Sequence, residues 1–130
     1  MNSILKAAQV EKQTADGTDL ERINRYTLRD LQADEVFTFR LAACNNQMDR
    51  DNERFTDRTL EQLAELFEGK SVLTDHHWST GSQTARVYAA SVEGESAVKR
   101  LVLRCYMPRT EQNSGLIAAI ESGILKECSV

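Results

Sequence analysis

At 130 residues with a net charge of −4 and a pI near 5.2, the chain is long enough for one hydrophobic core and too short for two. An apolar share of 41% beside 28% charged residues fits an ordinary globular domain, and the acidic balance gives no footprint for nucleic acid. No apolar run reaches the length of a membrane span, no signal-like segment opens the chain, and the odd set Cys44, Cys105 and Cys128 argues for a reducing compartment over a disulfide framework.

Residues 1–22 read as a mobile N-terminal arm. Ala7, Ala8 and Val10 offer little apolar pattern, and Gln13-Thr-Ala-Asp-Gly-Thr-Asp19 is polar and turn-like. A single domain is expected over 23–130. From Ile23 to Asp34 the pattern is mixed: Thr27 is a candidate N-cap for a short turn through Leu28 and Leu31, in a surface segment with a few apolar anchors. Val36 to Ala43 alternates, with Phe37, Phe39 and Leu41 on one face and Thr38 and Arg40 on the other, which predicts a half-buried strand. The polar loop Cys44 to Phe55 contains Asp49-Arg-Asp51-Asn, the opening of a calcium loop. Arg54 stands where that loop needs Gly and Leu60 where it needs Glu, so the calcium reading fails.

Asp57 is a candidate cap for a helix to about Phe67, with Leu60, Leu63, Ala64 and Phe67 on one stripe and Gly69 as its stop. Val72 and Leu73 read as a short strand. Gln83 to Val92 follows with Ala85, Val87 and Ala89 alternating against Arg86 and Tyr88, and Glu93-Gly-Glu-Ser96 signals a hairpin. Its partner is Val98 to Met107, with Leu101, Leu103, Cys105 and Met107 inward. Thr110 is a candidate cap for a second helix through about Ser122, carrying Leu116, Ile117 and Ile120 on its buried side. Gly123 ends it, and Ile124 to Val130 reads as the start of another strand. The fold class these elements predict is α+β: an antiparallel sheet of about five strands with two amphipathic helices packed on it.

The chemistry-bearing stretch lies between the two middle strands. Asp75 to Ser82 holds both histidines, His76 and His77, together with Trp78 and three hydroxyls. Histidine titrates near neutrality and is the usual proton shuttle, and a strand end is a rigid mount for one. The plainer alternative is a histidine that caps the loop or packs under Trp78. Metal binding is disfavoured, because neither histidine lies three or four residues from a Cys, Asp or Glu on a helix. A nucleophile could come from Cys128 or Ser129; on a strand the two face opposite sides, and spacing alone leaves the choice open.

The order of strand, Asp-rich loop, helix, Gly69-Lys70, strand ending in Asp75-His76, Ala85-Arg86-Val87, hairpin, helix and Lys126-Glu127-Cys128-Ser129-Val130 resembles the tailed-phage prohead proteases. These are capsid-maturation serine peptidases related in fold to herpesvirus assemblin, and the resemblance runs from about residue 23 to the end. It implies a barrel-like, assemblin-like sheet, with Ser129 as nucleophile and His76 as general base. Asp75, His77 or Arg86 would be orienting or oxyanion residues, and Cys128 replaces the family's usual Val. It also implies a glycine, further strands and a third triad member beyond the serine, so that the sequence would be truncated relative to the family. The expected substrate is a phage capsid or scaffold protein, processed in the bacterial cytoplasm within the assembling prohead. No cofactor, metal, nucleic acid or membrane enters this reading, and homo-oligomerisation is left open. The runner-up is a non-catalytic capsid-assembly or scaffold-interaction module on the same fold.

Overall fold

The computed structural model describes residues 8–13, 16–47, 54–73, 83–94 and 97–128. Alternating apolar residues build an antiparallel sheet from β1 (Ala8–Gln13), β2 (Val36–Asn45), β3 (Ser71–Leu73), β4 (Gln83–Glu93), β5 (Arg100–Pro108) and β6 (Glu127–Cys128). The six strands lie in the order β3-β4-β5-β2-β1-β6. The four longer strands β4, β5, β2 and β1 form the body, and short β3 and β6 flank it. Helices α1 (Gly17–Ile23), α2 (Asp57–Phe67) and α3 (Ser114–Glu121) complete the α+β architecture.

One sheet face carries the main core. Phe37, Phe39, Leu41 and Ala43 of β2 meet Leu101, Leu103, Cys105 and Met107 of β5 and Ala85 and Val87 of β4, under Leu60 and Ala64 of α2 and Ile117 of α3. The alternation read in β2 and β5 therefore corresponds to the inward phase, and Cys105 is fully buried. Leu63, Phe67, Leu116 and Ile120 are only partly buried at the margin of this cluster. The opposite face has a smaller core of Ile23, Val36, Tyr88, Ala89 and Tyr106, partly covered by Leu20 of α1 and by Leu31.

The second core corrects several expectations. Far from forming a mobile arm throughout residues 1–22, the chain makes an interior strand over Ala8–Gln13, paired with β2 on one side and β6 on the other. Residues 17–23 then form α1, started by a capping box in which the Asp16 carboxylate accepts from the Asp19 amide and the Asp19 carboxylate accepts from the Asp16 amide. Asp16 to Asp19, the later part of the run that reads as a turn, are thus a helix start, and Ile23, with no exposure, anchors it. Tyr88 was placed on the outward phase, yet it is buried because α1 covers that side. Ala89 leaves the phase of Ala85 and Val87, since a register shift between Val87 and Ala89 turns β4 over by one residue.

Helix boundaries shift for local reasons. Thr56, not Asp57, caps α2, its hydroxyl accepting from the Thr59 amide. Thr110 accepts from the Asn113 amide across a separate turn, and α3 starts only at Ser114. Thr27 caps no helix; its hydroxyl donates to the Asn24 side-chain oxygen. Gly69 adopts φ +85, with the Tyr26 ring 3.3 Å from where a Cβ would sit. That positive φ lets the chain turn from α2 into β3.

Candidate functional site

Strand β3 ends at Leu73 and β4 starts at Gln83, with Leu73 paired to Gln83, so the histidine-bearing connection departs from the sheet end that also holds Val36 and Pro108. Asp75, His76, His77 and Trp78 themselves lie outside the described residues. At the other edge, β6 pairs Cys128 with Ala8 and Glu127 with Gln9, and Gln9 is level with Ala42 in β2. Ser129, which also lies outside the described residues, therefore follows a strand that runs toward the sheet end holding Asn45 and Arg100.

The two halves of the expected catalytic pair consequently adjoin opposite corners of the described sheet. Five strand spacings separate β3 from β6, about 24 Å if the sheet is followed flat. The ladders of the described residues do not by themselves bring one corner to the other. A barrel joins strand edges with a stagger, so closure of that kind is what the catalytic reading requires.

Arg86 is the expected site residue that can be located. It sits in β4 opposite Ser71 of β3 and Tyr106 of β5, three residues into the strand and thus about 10 Å from its start at Gln83. Its Nη1 donates to the Gly69 carbonyl at 2.6 Å, a charge-assisted bond that ties the α2–β3 turn to the sheet. Gly69 also donates its amide to the Val87 carbonyl, and Val87 donates to Lys70. Burial pushes the neighbouring Tyr106 phenol above its ordinary value of 10.0, while the Arg86 charge pulls it the other way. Arg86 thus has a structural partner of its own, and any oxyanion role would have to use its remaining N–H groups.

A polar cluster joins α1 to the second face of the sheet. Arg40 and Arg104 are directly opposite across β2 and β5. Arg40 pairs with Glu93 at 2.7 Å, and Arg104 lies 3.9 Å from both Glu93 and Asp19. Asp19 is 5% exposed, and its carboxylate accepts the Tyr88 hydroxyl at 2.8 Å. The Nε atoms of Arg40 and Arg104 are buried without a hydrogen-bond partner. This cluster fastens α1 to the sheet. The sequence signal for it was available in the shared phase of Arg40 and Arg104, but Asp19 is brought in only by the tertiary fold.

Among the described residues no group of three His, Cys, Asp or Glu side chains is placed to hold a metal ion. No described helix is long and apolar enough to cross a membrane. Comparison of the chain with protein-family models, curated proteins and solved structures found no match.

Proposed function

We propose that the chain is a serine endopeptidase of the prohead-protease kind, cutting phage capsid or scaffold protein during capsid maturation inside the host cytoplasm. The observation that supports this reading is the order of its elements. A short strand hands the chain to the histidine loop, a two-strand meander and helix follow, and β6 leads directly into Ser129. Ser129 would attack the scissile carbonyl, and His76 would take the hydroxyl proton and return it to the leaving amine. Asp75, His77 or a group beyond Val130 would hold the imidazole in its working orientation. Arg86 would contribute an N–H to the developing oxyanion. In the full reading, the edges carried by β3 and β6 close, with a stagger, into an assemblin-like barrel.

The test is processing of a co-expressed capsid or scaffold precursor. Ser129→Ala and His76→Ala should each abolish cleavage to a similar extent, because the pair acts as a unit, while Cys128→Ala should retain it. Cleavage by Ser129→Ala would rule out serine chemistry at this position, and loss in Cys128→Ala alone would move the nucleophile to the thiol.

The second reading is a non-catalytic capsid-assembly module on the same fold. It is favoured by the separation of the β3 and β6 corners along the described sheet. Under it, Ser129→Ala would leave particle assembly and precursor length unchanged.

A further inference from the structure

Among the described residues, the outer edge of β4 is only half covered. Val87 faces β3, donating its amide to Lys70 and accepting from Gly69, and its side chain belongs to the main core. Ala90 and Val92 pack against that same core. In a strand, residues whose side chains share a face also direct their N–H and C=O groups to the same side. The backbone groups of Ala90 and Val92 therefore point to the edge that β3 occupies farther along the strand. β3 pairs with β4 only through Arg86, Ala85 and Gln83, so no described strand reaches Ala90 or Val92.

Beside this edge, α2 and β4 enclose an open groove of about 320 Å³, with Ala64 among its lining residues. Glu61, Glu65 and Glu68 line its helix side. All three are exposed, and none is in an ion pair with a described residue. A strand edge whose donors and acceptors no described strand uses, running beside a helix with three carboxylates in no ion pair with a described residue, has two complementary needs. Main-chain pairing would satisfy the first, and cationic side chains at alternate positions the second.

We infer that the groove between α2 and the outer edge of β4 captures an extended, Lys- or Arg-bearing peptide segment of another protein, added to the sheet as a strand beside Ala90 and Val92. Alternate side chains of that segment enter the groove, and those bearing cations meet Glu61, Glu65 and Glu68. The charge of the groove selects against an acidic segment and disfavours a second copy of this edge, which would bring the same carboxylates together. The inference holds whether or not the chain is a peptidase.

The probe is a fluorescent peptide alternating Lys with Val, compared with one alternating Glu with Val, titrated against the full chain by anisotropy at low salt. The Lys peptide should bind and the Glu peptide should not, and binding should weaken as salt rises. Hydrogen exchange should slow at Ala90 and Val92 in the complex. Val92→Pro removes an edge-facing N–H that β5 does not use and should weaken binding roughly tenfold or more, since main-chain pairing supplies much of the affinity in strand addition. Glu61→Lys/Glu65→Lys/Glu68→Lys alters only exposed positions, two on α2 and one at its C-cap, and should invert the preference toward the Glu peptide, an arm that holds even if the proline variant fails to fold. Equal binding of both peptides, protection elsewhere on the sheet, unchanged charge preference in the triple variant, or self-association of the chain through this edge would each overturn the inference.

Discussion

Replacing Leu60 by Ala tests the packing of α2 on the sheet, which positions both the α2–β3 turn and the strand after it. Leu60 has no solvent exposure and sits in the main core with Phe39, Leu103 and Cys105. Removing three carbons forfeits about 2.4 kcal/mol of transfer free energy at about 0.8 kcal/mol per methylene. A cavity that the surrounding strands cannot collapse into raises the cost to about 3–5 kcal/mol. Against a typical domain stability of about 5–15 kcal/mol this is a large share. With a urea slope of about 1–3 kcal/mol per molar, the midpoint should fall by roughly 1–5 M at unchanged slope. Leu66→Ala, on the same helix but 64% exposed, is the control and should change stability by no more than about 0.5 kcal/mol. Equal midpoint shifts in the two variants would refute this orientation of α2.

Other outcomes follow from the second face, the hairpin and the acid limb. Tyr88→Phe removes the hydroxyl that satisfies the buried Asp19 carboxylate and should cost about 1–3 kcal/mol; in a cycle with Asp19→Ala, which removes the acceptor, strictly additive chemical-denaturation energies would contradict the contact. Gly94 has φ +153, and a Cβ there would strike the Val98 carbonyl, so Gly94→Ala should cost roughly 1–3 kcal/mol; an unchanged thermal midpoint would argue against this turn. The Arg29 guanidinium holds Glu35 below its ordinary 4.5, and the Asp19 amide holds Asp16 below its ordinary 3.8. Both carboxylates are stabilised in the folded state, so their contribution is present above those ordinary values and is lost as pH falls through the lowered ones. Glu35→Gln should therefore flatten part of the decline in urea midpoint below about pH 4.5, and an identical pH profile would contradict the pairing.

The strands legible in the sequence are those whose core face is rich in large apolar residues. Phe37, Phe39 and Leu41 in β2, and Leu101, Leu103, Cys105 and Met107 in β5, mark their faces without help from neighbours. In β1, Val10 is the one strongly apolar position in Ala8–Gln13. Its place in the sheet comes from pairing with β2, which no local pattern announces. The capping box of α1 was legible in principle, since Asp16 and Asp19 have the required spacing, but a seven-residue helix has too short a stripe to register as periodic. Burial of Tyr88 and the turnover at Ala89 depend on α1 covering the second face and on the register shift in β4, both tertiary facts. For the candidate site, only the position of Arg86 and the strands that flank the other residues can be compared with expectation. Arg86 is at the strand position anticipated, with a Gly69 contact that sequence gave no means to foresee.

The most direct measurement of the catalytic account is covalent labelling of the full, folded chain with a fluorophosphonate probe, followed by peptide mass spectrometry. Such probes report a serine whose hydroxyl is activated by a neighbouring base. The account predicts one adduct, on Ser129, that disappears in His76→Ala while circular dichroism shows both proteins folded. An unlabelled Ser129 in a folded chain that processes its substrate, or labelling that persists at full rate without His76, would contradict it.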